Sequence, residues 1–347
     1  MHVGMFLEFP RPADSTYREA FDASFALVDE AEKLGVESVW LAEYHFNPGR
    51  VLSSPILIGT AIASRTENIR VGLAVQCLPL GHPVRLAEEA ATLDQLSNGR
   101  LEYGVGRGTF PNVHEGFNTP FSESRGRFEE GLEIIKRAWT EESFTFEGEY
   151  YQCHDLCVEP KPRQEPHPPI RVGITSAESF PITGRMGYPI LINPSRVFTL
   201  DQLAHHIGEY RRAWREAGHD GEPEVGLRVP IYVAETEEKA YSDPREGAIF
   251  MAQRLGQRVV SYAEYGATTG DWRAEGERVL DMDYDDWLRD KVAYGTPDSV
   301  ALKLRQLKED LGLTHMIYEV DLGNHLPFEM QLNSLRLFNK EVLPQLA

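Results

Sequence analysis

Cysteine is scarce in this chain, with only three among 347 residues. Cys77, Cys153 and Cys157 are too few for the disulfide framework of a small secreted scaffold, and free thiols are typical of a reducing compartment. Cys153 and Cys157 flank His154, but no second ligand pair follows at zinc spacing. We therefore predict no metal site.

Long apolar runs are also missing. Residues 56–63 form one of the longest, far below the roughly 20 residues that cross a bilayer. The apolar residues near the N-terminus have no basic segment before them, unlike a secretory signal. We therefore expect a soluble, cytoplasmic protein whose first residues already form a β-strand.

Positive charge is in short supply. The chain has 35 lysines and arginines but 54 aspartates and glutamates, which gives a formal net charge of −19. Because such a surface repels polyphosphates and anionic lipids, we expect neither a nucleic-acid nor a membrane partner. An anionic ligand must therefore meet a local cationic pocket. Neither a Gly-x-Ser-x-Gly elbow nor a P-loop is present, so serine acyl transfer and NTP hydrolysis are not indicated.

The chain does contain a regular alternation of strand-like and helix-like segments. Apolar strands separated by amphipathic helices are typical of a parallel sheet covered on its outside. Eight such strands predict an α/β fold of the (β/α)8 TIM-barrel type, and a doubly wound open sheet is the alternative. The predicted strands cover residues 5–7, 36–41, 69–78, 101–105, 170–174, 189–192, 225–233 and 316–320.

Two segments interrupt this alternation within a predicted single domain of residues 1–347. Residues 143–160 alternate aromatic and polar side chains around Gly148, as in a surface hairpin. Residues 241–294 are rich in charge and glycine and are predicted to be partly helical. Insertions of this kind can cover the mouth of a barrel.

A glycine-rich stretch follows the fourth predicted strand, where residues 104–109 read Gly-Val-Gly-Arg-Gly-Thr. The spacing is one residue short of a dinucleotide-binding fingerprint, and Pro111 follows where its helix would begin. Because glycine has no side chain, a flat or phosphorylated ligand can approach the main chain closely here. Arg107 offers a guanidinium that can donate two hydrogen bonds to a phosphate. Alternatively, the glycines relieve crowding where strands meet.

Three polar residues follow the second predicted strand. Glu43, Tyr44 and His45 bring a carboxylate, a phenol and an imidazole to the C-terminal end of a strand, where barrel enzymes place reactive groups. The alternative is a loop that holds a structurally hydrogen-bonded histidine.

Two predicted helix starts could bind an anion through unpaired main-chain amides and the helix dipole. Arg125 lies at the first, although taken alone it is more typical of a surface charge. Thr175, Ser176 and Ser179 lie at the second, where helix capping explains Thr175 or Ser176 equally well.

Taken together, these motifs resemble the bacterial luciferase-like family of flavin-dependent monooxygenases, in particular its alkanal monooxygenase branch. The resemblance covers most of the chain and is strongest through residue 140. It is carried by VWLAEYHF at 39–46, RVGLAVQCLPLGHPVRLAEEAATLDQLSNGRLEYGVGRG at 70–108, ESRGRFEEGLEIIKRAW at 123–139 and LRLFNKEVLP at 335–344.

The resemblance implies a TIM-type barrel that binds reduced FMN, delivered by a separate flavin reductase. It implies that the flavin activates O2 as a hydroperoxide at carbon 4a. It also implies that the flavin ring lies over a bulge at Ala74 and Val75, often with a cis peptide, and it suggests a homodimer. The cofactor residues that it implies are Ala74, Val75, Gly106, Arg107, Gly108, Thr109, Arg125, Thr175, Ser176 and Ser179.

Some residues depart from the pattern of light-emitting members. Tyr44 replaces a histidine that matters for catalysis in those members, and Gly106 stands where they have a reactive cysteine. Thr175 replaces a glutamate, and Asn193 a tryptophan. These departures argue against light emission.

Our hypothesis is an FMN-dependent, two-component monooxygenase that uses O2 to oxidise a small organic substrate. His45 would act as the acid or base, Tyr44 as a hydrogen-bond donor and Glu43 as the carboxylate that orients them, while residues 241–294 would form a lid against water. The alternatives are a deazaflavin-dependent oxidoreductase of the same fold and a non-catalytic flavin-binding relative.

Overall fold

The structure is a computed structural model that describes residues 1–192, 198–264 and 272–346. The strands are β1 (His2–Leu7), β2 (Ser38–Leu41), β3 (Arg70–Leu73), β4 (Gln76–Cys77), β5 (Leu101–Gly106), β6 (Phe144–Glu147), β7 (Gln152–Leu156), β8 (Ile170–Ile174), β9 (Ile190–Ile192), β10 (Val225–Val233), β11 (Ala293–Gly295) and β12 (His315–Glu319). The α-helices are α1 (Tyr17–Lys33), α2 (Pro55–Arg65), α3 (Pro83–Leu96), α4 (Pro111–Gly116), α5 (Ser124–Thr140), α6 (Ser179–Met186), α7 (Leu200–Glu216), α8 (Glu237–Ser242), α9 (Arg245–Glu264), α10 (Trp272–Asp281), α11 (Tyr284–Asp290), α12 (Pro297–Leu311) and α13 (Phe328–Leu337).

Ten strands form one sheet in the order β11, β10, β12, β1, β2, β3, β5, β8 and β9, with β4 beside β5. The pairs β1–β12, β2–β3, β3–β5, β5–β8, β9–β10 and β10–β12 are all parallel. Because β9 also pairs with β10, the strand order closes on itself. This is the (β/α)8 TIM-type fold, so the predicted barrel is confirmed and the open sheet is excluded.

The chain divides into two compact units, Leu7–Gly173 and Met1–Phe6 with Ile174–Ala347. In the first unit, Val71 of β3 lies opposite Val39 of β2 and Leu101 of β5, and all three side chains are buried. In the second unit, Met316 of β12 lies opposite Leu227 of β10 and is likewise buried. Apolar strand residues therefore form the core of each unit.

Local sequence signals account for the ends of α1. The hydroxyl of Thr16 accepts a hydrogen bond from the main-chain N–H of Glu19, whose carboxylate in turn accepts from Thr16 N–H, which forms a capping box. Val28 and Ala31 are fully buried on the predicted inner face. Gly35 follows the helix with a φ of +74°, a conformation that costs glycine little.

The third predicted strand, residues 69–78, is interrupted. It consists of β3 and β4, separated by a cis peptide bond between Ala74 and Val75. Both pieces pair with β5: Val71 lies opposite Leu101, and Gln76 lies opposite Val105. The cis peptide that the resemblance implied at this position is thus present in the structure.

The segment at 143–160 contains the predicted hairpin. Strands β6 and β7 pair in antiparallel fashion, and the carboxylate of Glu130 on α5 accepts hydrogen bonds from the main-chain N–H groups of Glu149, Tyr150 and Tyr151 in its turn. A single helix side chain therefore holds the turn of the hairpin.

The segment at 241–294 is partly helical, as predicted, with α9, α10 and α11, while its residues 265–271 lie outside the described part of the chain. Ala248, Val279 and Trp287 bury their side chains in one apolar cluster with Tyr232 of β10. Among the described helices, none combines the length and apolarity needed to span a membrane.

Asp94 on α3 is fully buried and orders a loop of the first unit. Its carboxylate accepts hydrogen bonds from Arg163 N–H at 2.8 Å, from Gln164 N–H at 2.9 Å and from the Gln164 side chain at 2.7 Å. Buried donors that lose a charged acceptor are costly to leave unpaired.

The substitution Asp94→Ala is expected to lower the free energy of unfolding by about 2 kcal/mol, because it leaves partly buried N–H groups without their charged acceptor. Chemical denaturation measures this. Asp22→Ala is the control, since Asp22 forms an exposed pair with Arg18 and its loss should cost under about 1 kcal/mol. Equal losses in the two variants would contradict the assigned role of Asp94.

Candidate active site

Polar side chains collect at the C-terminal ends of neighbouring strands in the unit Leu7–Gly173. Glu8 directly follows β1, and Glu43 lies two residues after the end of β2. Gln76 is the first residue of β4, and Arg107 directly follows β5. Because these strands are parallel neighbours in the sheet, their C-terminal ends lie at the same edge. The site is built at this edge.

Glu43 connects three of the site residues. Its Oε1 lies 2.9 Å from Nε2 of His45, and its Oε2 accepts from Gln76 Nε2 at 3.3 Å and from Cys77 N–H at 3.2 Å. The side chain of Glu43 is 5 % exposed and that of His45 15 %. Because a carboxylate only accepts, His45 donates from Nε2 when neutral and keeps Nδ1 as its proton acceptor. The contact with Glu43 therefore fixes the orientation of the His45 ring.

Cys77 is the cysteine nearest this carboxylate. Burial raises the pKa of its thiol well above the ordinary value, and the charge of Glu43 acts in the same direction. Cys77 therefore keeps its proton at neutral pH and is a poor nucleophile.

Tyr44 belongs to a second group of side chains. Its hydroxyl donates a short hydrogen bond to Glu8 Oε1. Arg50 donates to Glu8 Oε2 from Nε at 2.9 Å and from Nη2 at 2.5 Å. The Arg50 guanidinium carbon also lies 4.7 Å from the centre of the Tyr44 ring, within cation–π range.

Aromatic residues border His45. The Phe117 ring meets the imidazole edge-on at a centroid distance of 4.7 Å. Phe46 is 62 % exposed and has a φ of +53°, which is rare for a bulky side chain. Gly116 makes room for it, because a Cβ there would lie 2.3 Å from the Phe46 ring. His45 thus has apolar neighbours beside its carboxylate partner.

The Gly106 position is explained by packing. A Cβ at Gly106 would lie 2.5 Å from Cγ2 of Val75, and one at Gly173 would lie 2.5 Å from Cγ1 of the same side chain. Gly106 therefore accommodates Val75, which agrees with the alternative that a glycine here relieves crowding between strands. Gly108 differs, since its φ of +79° favours glycine.

Arg107 and Thr109 lie in the half-buried loop after β5. The guanidinium carbon of Arg107 lies 5.5 Å from the centre of the Phe121 ring. Arg125 is the second residue of α5 and is exposed. Both cations lie in the unit Leu7–Gly173.

Thr175, Ser176 and Ser179 belong to the other unit. Ser176 Oγ and Ser179 Oγ lie 2.8 Å apart, and Ser176 is buried, while Thr175 is half-buried. The N-cap residue of α6, Glu178, makes no side-chain capping hydrogen bond. At the start of this helix the N–H groups of Ser179 and Phe180 donate to the carbonyl oxygens of Ser176 and Ala177.

Sequence reasoning missed Glu8, Arg50 and Gln76. Glu8 directly follows β1, so the rule that identified Glu43 could also have found it. Gln76 lies inside the third predicted strand, residues 69–78, and the sequence does not show that this strand is interrupted before it. Arg50 lies in an irregular loop, where no sequence pattern indicates its contact with Glu8.

One group of possible metal ligands occurs in the described part of the chain, on α7. Glu209 Oε2 lies 3.8 Å from His205 Nε2 and 3.6 Å from His206 Nδ1. These spacings are those of ordinary side-chain pairs three and four residues apart on a helix. The group therefore gives no reason to assign a metal.

Comparison with known proteins places this fold in one class, the TIM-barrel oxidoreductases. The sequence profile of the luciferase-like monooxygenases matches residues 1–315. The chain belongs to the luciferase-like monooxygenase family, which confirms the resemblance, and it is a monooxygenase.

One relative is the oxygenase component of the flavin-dependent trigonelline monooxygenase of Acinetobacter baylyi. It is 28 % identical over 253 residues, which are 72 % of this chain and 70 % of the relative. Among solved structures, the oxygenating constituent of 3,6-diketocamphane monooxygenase from Pseudomonas putida, a type II Baeyer–Villiger enzyme in complex with FMN, has a TM-score of 0.82. Its identity is 24 %, with 100 % of this chain and 99 % of that chain covered.

A coenzyme F420-dependent tetrahydromethanopterin reductase from Methanopyrus kandleri also shares the fold. Its TM-score is 0.76 at 20 % identity, over 100 % of this chain and 99 % of that chain. The fold alone therefore does not distinguish between an FMN enzyme and a deazaflavin enzyme.

His114 lies under the loop after β5 and is 1 % exposed. A Cβ at Gly108 would lie 3.0 Å from its Nε2, and neither ring nitrogen makes a regular hydrogen bond within the described residues. Burial lowers the pKa of His114 from the ordinary value of 6.5, while contacts with the main chain at Arg107 and Gly108 act in the opposite direction and the charge of Arg107 adds to the lowering. The imidazole is therefore neutral at pH 7.

Because the pKa of His114 is lower in the folded chain, the unfolded chain binds more protons below about pH 6.5. The free energy of unfolding is therefore higher at pH 7 and decreases as the pH falls through 6.5. We expect His114→Gln to flatten this decrease in denaturation midpoints measured from pH 7.5 to 5. His205→Gln, at a 69 % exposed side chain, is the control. A slope unchanged by His114→Gln would contradict the prediction.

Proposed function

We propose that this chain is the oxygenase component of a two-component, FMN-dependent monooxygenase acting on a small organic substrate. A separate flavin reductase would supply the reduced FMN. The observation that carries the proposal is the Glu43–His45 pair at the strand edge that also presents Arg107. A cytoplasmic location, expected from the composition, and a homodimer, supported by the resemblance alone, are part of the same proposal.

The donors of the chain fit a phosphate monoester. Arg107 offers a guanidinium in the unit Leu7–Gly173, and Ser176 and Ser179 offer paired hydroxyls in the other unit. In our proposal Arg107 binds the phosphate of FMN together with Arg125, Gly108 and Thr109 of the same unit, and Thr175, Ser176 and Ser179 remain cofactor residues that the resemblance alone implies. Ala74, Val75 and Gly106 would adjoin the flavin ring.

When bound, reduced FMN would supply the electrons with which one oxygen atom of O2 enters the substrate and the other leaves as water. His45 would move the protons of this reaction. Its Nε2–H is donated to Glu43 at 2.9 Å, so Nδ1 is the atom at which it takes up or releases a proton. Glu43 keeps the imidazole in that tautomer.

Exclusion of water is the other task of the chain. Water that reached the site would divert the electrons of bound reduced FMN to hydrogen peroxide, so the chain would have to exclude it for the substrate to be oxygenated. We assign this task to residues 241–294, whose helices α9, α10 and α11 pack on Tyr232 and its neighbours.

The reaction class is tested with the reduced-FMN-loaded protein, 18O2 and a panel of small organic substrates. A monooxygenase product gains one 18O atom, which mass spectrometry detects. Parallel fluorescence titrations with FMN and a deazaflavin compare the two cofactors. Preference for the deazaflavin, or flavin binding without labelled product, would replace our proposal with one of the alternatives.

Arg107→Ala is expected to weaken FMN binding by about 1.5 to 3 kcal/mol, or roughly ten- to hundredfold, because a charge-assisted hydrogen bond to phosphate is lost. Fluorescence quenching of FMN measures the dissociation constant. Arg137→Ala is the control, because Arg137 pairs with Glu141 at the other end of α5. An unchanged affinity in Arg107→Ala would remove Arg107 from the phosphate site.

His45→Asn is expected to slow substrate oxygenation by about 100-fold or more, since general acid–base catalysis contributes factors of this size. FMN affinity should change little, because His45 is assigned to the reaction and not to the phosphate. His154→Gln removes a comparable histidine–carboxylate pair, with Glu147 at 3.0 Å on the hairpin, and serves as the control. Full oxygenation by His45→Asn would exclude the assigned role.

A further inference from the structure

We infer that Glu8 and Arg50 are positioning residues for Tyr44, and that they commit its hydroxyl proton to Glu8 and so leave proton transfer to His45. Glu8, Tyr44 and Arg50 are called the tyrosine anchor below. The inference deepens the proposed function and rests on it for the reaction, but the anchor itself is a property of the chain without cofactor.

The direction of the hydrogen bond follows from chemistry. Arg50 is always protonated and has no acceptor. It donates to Glu8 Oε2 from both Nε and Nη2, so Glu8 is held as a carboxylate that can only accept. The hydroxyl of Tyr44 must therefore be the donor to Glu8 Oε1. A phenol whose proton is committed in this way does not donate it to a ligand, which revises the donor role expected from the sequence.

The ring of Tyr44 is held in a second direction. The guanidinium carbon of Arg50 lies 4.7 Å from its centre, so Arg50 contacts the ring face while Glu8 holds the hydroxyl. The main chain adds to this, because Tyr44 N–H donates to Leu52 O at 2.9 Å and Val51 N–H donates to Phe9 O at 3.0 Å. The loops after β1 and β2 are thereby joined around the anchor.

Burial of the ion pair supports a role in positioning. The side chains of Arg50 and Glu8 are only 6 % and 7 % exposed. Taking two charges out of water offsets much of their attraction, and apolar residues of similar size often stabilise a fold as well or better. Stability alone therefore does not account for this pair, whereas a fixed position of Tyr44, the neighbour of His45 in the chain, does.

The chain offers a closely matched control. Arg65 donates to Asp29 at 2.8 and 2.6 Å, and its guanidinium carbon lies 4.7 Å from the centre of the Phe25 ring. This cluster has the same chemistry as the anchor, but it lies on α1 and α2 and is about 38 % exposed. The double variants Glu8→Gln/Arg50→Gln and Asp29→Asn/Arg65→Gln therefore differ in burial and in whether Tyr44 is involved.

The first measurement needs no cofactor. The chain is labelled with tyrosine that carries 13C at the hydroxyl-bearing carbon, and the Tyr44 resonance is identified by its loss in Tyr44→Phe. We expect Glu8→Gln/Arg50→Gln to shift this resonance, while Asp29→Asn/Arg65→Gln leaves it in place. A Tyr44 resonance that stays unchanged in Glu8→Gln/Arg50→Gln would overturn the anchor.

The second measurement follows the reoxidation of protein-bound reduced FMN by O2 across pH. We expect Glu8→Gln/Arg50→Gln to slow the pH-independent rate about tenfold, because Tyr44 is misplaced. The single variant Arg50→Lys keeps Glu8 and a positive charge, and its rate should lie between that of the double variant and that of the unaltered chain. Tyr44→Phe should retain the shape of the pH profile, whereas His45→Asn should lose one limb. Loss of that limb in Tyr44→Phe would show that Tyr44 donates the proton and would overturn the inference.

The two measurements separate this inference from the proposed function. If the unaltered chain binds no FMN, the proposed function fails, and the resonance of Tyr44 still decides whether the anchor exists. If FMN binds and the resonance does not shift, the anchor fails and the proposed function stands.

Discussion

In the described part of the chain the barrel strands pair in parallel, and the hydrogen bonds between them determine which residues lie side by side. Residues far apart in the chain therefore arrive at one edge, as Glu8, Glu43 and Gln76 do after or within neighbouring strands. No motif contiguous in sequence contains this set. The site is a product of strand direction and register, and its loops only complete it.

Two buried carboxylates organise that edge in different ways. Glu43 accepts from an imidazole, an amide and a main-chain N–H, and so fixes a tautomer. Glu8 accepts from a phenol and a guanidinium, and so fixes the position of a ring. Each carboxylate is costly to bury and is stabilised by several donors. The cost is offset by these hydrogen bonds, which hold Tyr44 and His45 each in one arrangement.

Much of the fold could be predicted from the sequence, because apolar strands and amphipathic helices alternate and glycines such as Gly35 mark helix ends. Glu43 and His45 could be singled out from the sequence, since both lie within four residues of the end of a predicted strand, and their role stays a prediction. The contacts of Arg50 could not, because a loop of irregular backbone brings it to Glu8. The role of Gly106 was open between two explanations, and only the position of the Val75 side chain favours one of them.

The contact between Val75 and Gly106 has a consequence for how such a site can vary. The volumes of the two positions are coupled, because Cγ2 of Val75 already occupies the space that any side chain at 106 would need. A thiol like that of the light-emitting relatives could enter at 106 only together with a smaller residue at 75. A change from glycine to cysteine at 106 therefore requires a second change at 75. A side chain at 106 alone produces a clash, and a smaller residue at 75 alone produces a void.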